Sequence, residues 1–201
     1  MNKIIIIGNG GHAKSVAEVI ERQGIYRIAG YVVGDELENF EEGYYPVIGR
    51  DKDLKNIYQS GIHCAVLGIG FLGKNNIRKK LYQILKEIGY KLPIICDPSA
   101  IISSKASIGE GAFLGKQAIV NVDAIIGKAS IINTGAIVEH DCQVGEFSHI
   151  AVGAVLCGEV FVGKETLVGA NATVIQGRRV GDKCVVGAGE VVRKNIVGEE
   201  I

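Results

Sequence analysis

The chain has 201 residues, 22 Lys and Arg against 22 Asp and Glu, 47% hydrophobic residues and 28 glycines. That charge balance excludes a polybasic nucleic-acid binder and an acidic solvating tail, and the apolar share suffices for a packed core. Only three prolines accompany the glycines, which points to many tight turns in an ordered fold and away from a linker.

The chain opens MNKIIIIGNGGH. Its four-isoleucine run is too short for a signal peptide or a membrane span. Cys64, Cys96, Cys142, Cys157 and Cys184 form no CxxC pair, so reduced thiols in a cytoplasmic protein are expected, and neither a disulfide framework nor a zinc site.

Residues 1–97 alternate strand and helix signals. Lys3–Ile7 is a continuous aliphatic run, as in a strand buried on both faces. Gly8-Asn9-Gly10-Gly11 follows, and then Ala13, Val16, Ala17 and Ile20 recur at helical spacing until Gly24. Ile28–Val33 and Cys64–Leu67 read as further strands, the latter ending at Gly68. Ile77, Leu81, Ile84, Leu85 and Ile88 mark another helix, closed by Gly89. Strand, helix, strand with short connections predicts a Rossmann-like βαβ domain with a small parallel sheet.

Residues 98–201 follow another period. From Ile102 to Val192 every sixth place is aliphatic, as in Val120, Ile126, Ile132, Val138, Val144 and Ile150. Four places after each aliphatic the residue is usually small, as at Ala118, Ala136, Cys142 and Ala154, and the place just after it is often Gly or Asn. Each hexapeptide is then a short strand plus a turn, with the aliphatic inward, the small residue in a crowded corner, and the Gly or Asn free to take a positive φ. Three such sides make an eighteen-residue triangular coil, and the whole run makes about five coils of a parallel β-helix. Stacked coils leave end and side faces to be covered by capping elements or by oligomerisation.

Of the four histidines, His140 and His149 fall in the repeats, nine residues apart and outside the core slots. Asp141 or Glu139 can hold the His140 imidazole in one tautomer and stabilise its protonated form. Two histidines so spaced, with no third, do not make a catalytic zinc site, so no metal is expected. No Ser or Cys lies in a triad motif, and Cys142 and Cys157 are candidate nucleophiles by proximity alone. Direct attack by an acceptor whose proton a neutral imidazole takes is simpler chemistry than a covalent intermediate. Gly8-Asn9-Gly10-Gly11-His12 after a strand reads as a tight turn before a helix, as a GxGxxA dinucleotide variant with Asp35 as the acidic partner, or as a phosphate cradle at a helix N-terminus, the reading preferred here. Lys79-Lys80 reads as a solvated helix face. Arg178-Arg179 reads as a surface turn or as an attraction for the phosphates of a ligand.

The runs from Asn133 through Cys142 and from Val144 through Gly153, the GxGGH near the N-terminus and Asn75-Asn76-Ile77-Arg78-Lys79-Lys80 together resemble the hexapeptide-repeat sugar acetyltransferase family. That family includes sialic acid O-acetyltransferases and the bacillosamine-pathway N-acetyltransferases of UDP-4-amino-sugars. The resemblance implies a left-handed β-helix, a homotrimer with sites in the grooves between prisms, and acetyl-CoA as co-substrate with a UDP-sugar. By the same resemblance His140 is the general base with Asp141 beside it, where relatives often carry Glu. His149, Asn133 and the N–H of Gly158 belong to the acyl-CoA and acceptor site. Gly8, Gly10, Gly11 and His12 belong to the nucleotide-sugar loop, with Asp35 and Gly68 bordering the uridine. The expected activity is N-acetylation of a UDP-4-amino-sugar. The alternatives are O-acetylation of sialic acid or another sugar, and a non-catalytic trimeric sugar-nucleotide-binding protein. Relatives usually close with a Gly-x-Pro-Ala-Lys type segment, which Val192–Ile201 lacks, and weaker donor binding is the expectation that follows.

Overall fold

The computed structural model describes residues 1–37, 43–73 and 77–198. Its contacts divide the chain into two compact units, Met1–Gly70 with Asn76–Ile95, and Phe71–Asn75 with Cys96–Ile201. The division falls close to the 97/98 boundary read from the sequence, except that the segment after Gly70 belongs with the second unit.

In the first unit four parallel strands, β1 (Asn2–Ile7), β2 (Tyr26–Val33), β3 (Val47–Arg50) and β4 (Cys64–Leu67), form a sheet in the order β3-β2-β1-β4. The isoleucines of β1 are almost fully buried because strands flank it on both sides. Helix α1 (Gly11–Gln23) buries the stripe Ala13, Val16, Ala17, Val19 and Ile20. It stops where Gly24 takes a left-handed φ of 66° and returns its N–H to the Ile20 carbonyl. Helix α2 (Leu54–Gln59) and strand β3 carry short, mixed patterns that the sequence reading passed over. Helix α3 (Ile77–Ile88) ends at Gly89, whose N–H reaches the Leu85 carbonyl.

The second unit is a parallel β-helix of three sheets holding five, six and six short strands, the left-handed β-helix expected of hexapeptide repeats. Each strand pairs with the one eighteen residues on: Ile131 faces His149, Ile137 faces Val155, and Ile125 faces Gln143. The first face carries Phe113, Ile131, His149, Leu167 and Val185 outward. The second carries Ile101, Ile119, Ile137, Val155, Thr173 and Val191. The third carries Ser107, Ile125, Gln143, Phe161 and Arg179. The sixth-place aliphatics from Leu114 onward fill the interior, and Ala118, Ala136, Cys142 and Ala154 occupy its corners with no exposure.

One expectation is corrected. The glycines just after the inward aliphatics do not take a positive φ. A Cβ there would strike the backbone of the next coil, as at Gly127, 2.6 Å from the Glu146 nitrogen, and Gly145, 2.5 Å from the Gly163 carbonyl carbon. Close coil stacking, not turn conformation, requires glycine at these places. The left-handed residues lie two places further along: Gly135 at 66° and Gly153 at 66°, but also Asp141 at 58° and Glu159 at 60°.

Candidate functional site

The corner between the second and third faces holds Glu139, His140, Asp141 and Cys142. Asp141 adopts the left-handed conformation, costly for a side chain other than glycine. Its Oδ2 lies 2.8 Å from His140 Nδ1. Facing a carboxylate, Nδ1 carries the proton, which leaves Nε2 as the free basic atom. The hydrogen bond to Asp141 raises the imidazole above its ordinary pKa, partial desolvation opposes it, and the nearby charges of Asp141, Glu139 and Glu159 add to the rise.

Two further contacts hold the residue, one at its backbone and one at its ring. Glu139 Oε2 accepts the His140 N–H at 3.2 Å and the Asn121 Nδ2–H at 2.9 Å, while Asn121 Oδ1 accepts the N–H of Val122. On the other side the imidazole packs on Gly158, one coil on. A Cβ at that glycine would stand 2.5 Å from both Cε1 and Nε2. The sequence reading named His140, Asp141 and Gly158 but missed the Asn121–Glu139 pair. Its signal was available: Asn121 and Glu139 are eighteen residues apart, as are His140 and Gly158, so each pair is stacked.

Where Asn or Glu stands at the corner, its side chain caps the next N–H, as Asn121 does for Val122, Asn133 for Thr134 and Glu139 for His140. Before Gly158 stands Cys157, whose short thiol offers no such cap. Among the described residues the Gly158 N–H makes no hydrogen bond, so a donor lies beside the imidazole. Cys142 is wholly buried, donates its thiol to the Cys157 carbonyl at 3.1 Å, and is pushed up to about 11 by burial. A thiol so buried is inert, which removes Cys142 as a nucleophile.

His149 lies elsewhere, outward on the first face and only 7% exposed. Residues 71–73 lie across that face: His149 Nδ1 is 2.8 Å from the Phe71 carbonyl, and the space beside Gly73 is filled by Val185 and Leu167. Nδ1 therefore carries a proton. Because Asn133 Oδ1 accepts the Thr134 N–H at 2.8 Å, its Nδ2 donates to His149 Nε2 at 3.0 Å. Both ring nitrogens are engaged in the neutral form, so His149 is a poor base. The structure joins Asn133 to His149, and His140, Asp141 and Gly158 to one another, on separate parts of the prism.

In the first unit Gly8 leaves β1 with φ 95°, its N–H on the Val32 carbonyl at 2.7 Å. Gly10 precedes α1 with no side-chain cap, the first turn of α1 holds no acidic residue, and a Cβ on Gly10 or Gly11 would meet nothing within 4 Å. The backbone there is open to a ligand, and the helix N-terminus favours an anion. His12 is half-buried in that first turn. Gly68 follows β4, where a Cβ would strike Ile6, Ala13 and the Ile7 carbonyl, so only glycine lets β4 approach β1 and α1 so closely. The chain runs from β1 to β2 on one side of β1 and reaches β4 on the other, so Gly8 and Gly68 flank the switch point at the carboxyl end of the sheet. Asp35 lies beyond β2 at the same end. Arg50 Nη1 clamps the Gly34, Asp35 and Leu37 carbonyls at 3.0 Å each, and Asp35 Oδ1 accepts the Lys52 N–H at 3.3 Å. Asn75 and Asn76 of the motif, and Glu199–Ile201 of the tail, lie outside the described residues. Among the described residues no helix is long and apolar enough to cross a membrane.

Residues 3–85 match the PglD N-terminal domain family, and residues 105–140 and 159–194 match the hexapeptide repeat of succinyl-transferase. Over 114 residues the chain is 36% identical to the UDP-N-acetylbacillosamine N-acetyltransferase of Bacillus subtilis (strain 168), a stretch covering 57% of this chain and 51% of that relative, about half its length. Among solved structures it is similar to PerB from Caulobacter crescentus in complex with CoA and GDP-perosamine, at 34% identity and a TM-score of 0.91, covering 99% of this chain and 92% of that one. It is similar also to the acetyltransferase domain of PglB from Neisseria gonorrhoeae in complex with acetyl coenzyme A, at 32% identity and a TM-score of 0.87, covering 98% and 93%.

Proposed function

The chain belongs to the hexapeptide-repeat sugar N-acetyltransferases, and from that premise we propose that it transfers the acetyl group of acetyl-CoA to the amino group of a UDP-linked 4-amino-sugar. The observation that carries this reading is the His140 corner, where an imidazole held at Nδ1 by Asp141 presents Nε2 beside an uncapped backbone N–H. The sugar amine attacks the thioester carbonyl and gives its proton to Nε2. The Gly158 N–H donates to the oxygen that gains negative charge. The C–S bond then breaks, and the departing CoA thiolate takes the proton back from Nε2, which restores the neutral imidazole. His149 and Asn133 of a neighbouring copy in a homotrimer, fastened to each other, line the acyl and acceptor site from the other side of the groove. Gly8, Gly10, Gly11 and His12 hold the nucleotide diphosphate at the N-terminus of α1, with Asp35 and Gly68 bordering the base and ribose.

The working unit in this reading is a homotrimer. The outward ladder of the second face is Ile101, Ile119, Ile137, Val155, Thr173 and Val191, with no charge along it and Ile101 66% exposed. An uncharged ladder of that kind, aliphatic at every place but Thr173, suits burial against another copy. The cytoplasm, where acetyl-CoA and nucleotide sugars meet, is the proposed location.

The test is thiol release from acetyl-CoA in the presence of UDP- and GDP-linked 4-amino-sugars. A UDP-linked amine is expected to be the better acceptor. Faster turnover of the GDP sugar overturns the nucleotide assignment alone. His140→Ala is expected to lower kcat/KM by roughly 10²–10⁴, the usual contribution of a general base, and unchanged turnover removes His140 from that role.

A further inference from the structure

One corner of the β-helix repeats the same turn in successive coils while its side chains change. Asp123, Asp141 and Glu159 all take the left-handed conformation, at 58°, 58° and 60°. The N–H of Asp141 meets the Val122 carbonyl at 3.1 Å, that of Glu159 the His140 carbonyl at 2.9 Å, and that of Gly177 the Gly158 carbonyl at 3.0 Å. Val122, His140 and Gly158 therefore occupy the same place in three stacked turns.

The residue before each of them decides where its N–H goes. Asn121 Oδ1 accepts the Val122 N–H at 2.8 Å, and Glu139 Oε2 accepts the His140 N–H at 3.2 Å. Cys157, half-buried, comes next in that column. A thiol is a weak acceptor and lacks the reach that Asn and Glu have. Gly158 is buried, yet among the described residues its N–H has no acceptor. Buried backbone donors are nearly always paired. Asn or Glu at place 157 would pair this one, as in the two coils before.

We propose that Cys157 is a positioning residue for acetyl transfer: it withholds the cap that Asn121 and Glu139 supply and so leaves the Gly158 N–H open to the thioester oxygen. The thiol neither attacks nor carries a proton. What counts is that place 157 offers no acceptor to its neighbour. This rests on the acetyl-transfer reading above, in which the Gly158 N–H donates to the oxygen that gains charge.

Thiol release from acetyl-CoA with UDP- and GDP-linked 4-amino-sugars tests it, on the full chain, for wild type, Cys157→Asn, Cys157→Leu and Cys157→Ala. Asn copies the cap of Asn121, and Leu copies the shape of Asn without its acceptor. Cys157→Asn is expected to lower kcat roughly 10²-fold, the usual contribution of one oxyanion donor, with both KM values within about threefold and the rising limb of the pH profile unmoved. Cys157→Leu and Cys157→Ala leave the N–H open and are expected to turn over within about threefold of wild type. In amide NMR spectra of protein labelled at glycine nitrogen, Cys157→Asn alone is expected to shift the Gly158 proton downfield and slow its exchange. No turnover by the wild type with any of these sugars sinks the acetyl-transfer reading and this inference with it. Cys157→Asn as active as Cys157→Ala, or Cys157→Leu as poor as Cys157→Asn, overturns the inference while that reading stands. So does loss of turnover in Cys157→Ala, which gives the thiol itself a part. If Cys157→Asn fails to fold, Cys157→Glu copies the cap of Glu139 and is read at the alkaline plateau of the profile.

Discussion

Gly158→Ala separates the position of the His140 ring from every other property of the corner. The φ of Gly158 is not in the left-handed region, so alanine fits the backbone and keeps the N–H. Its methyl, however, would lie 2.5 Å from His140 Cε1 and Nε2. Carbon contacts relax at about 3.5–4.0 Å, so the imidazole must retreat by about 1 Å. The ring is a half-exposed side chain, 42% accessible, and can swing outward. The melting temperature is therefore expected to stay close to wild type. Catalysis is expected to suffer far more, because a misplacement of about 1 Å can cost about 10²-fold. The assay is kcat/KM by thiol release for wild type, Gly158→Ala, His140→Ala and the double variant. The methyl should cost about 10²-fold when the imidazole is present and close to nothing once it is gone, because only the ring is struck. An equal loss in both backgrounds, or activity within a factor of two of wild type, refutes the argument that the ring is held on Gly158.

Acid should silence the enzyme. A base must be neutral to accept a proton, and the hydrogen bond to Asp141 raises the pKa of His140. So kcat/KM is expected to rise with pH through a value above 6.5, the ordinary one for histidine. Asp141→Asn removes the carboxylate that favours the charged ring, so the rising limb of the profile should move to lower pH, and an unmoved limb means that another group titrates. In the β-helix interior Thr166 Oγ1 donates to the Gly181 carbonyl at 2.7 Å and accepts the Cys184 N–H at 3.1 Å. Thr166→Val removes the bonds to both partly buried partners, and a loss of about 1 kcal/mol in chemical denaturation is expected, with an unchanged midpoint counting against it. On the second face Ile137→Lys places a charge in the ladder, and sedimentation is expected to show monomer for the variant and trimer for the wild type. A variant that sediments as wild type assigns the interface elsewhere.

The solenoid was legible in the sequence because its constraint is local and repeated. Val120, Val138, Leu156, Val174 and Val192 all meet the same narrow interior, so each coil selects an aliphatic at the same place. In the first unit β1, α1, β4 and α3 were legible for a similar reason, since each buries one continuous run or stripe. Strand β3 and helix α2 were not, because their few buried residues show no period: of Val47–Arg50 none is fully buried, and of Leu54–Gln59 only Leu54 and Ile57 are. The candidate site divides in the same way. His140 with Asp141 stood out as an unusual pair in a plain turn, and the glycine loop as an unusual turn before a helix. What only the tertiary structure decided is which residues share a place. Coil stacking sets Asn121 beneath Glu139 and Gly158 against the His140 ring, and it turns glycines that seemed to serve turn geometry into points of close backbone approach. The packing of Phe71 across the first face buries His149 and holds its Nδ1 on a backbone carbonyl. Nine residues separate His140 from His149, and that half-coil of the prism carries them to different faces. Contacts between residues far apart in the chain leave no periodic trace at either position, so no reading of local pattern could have assigned them.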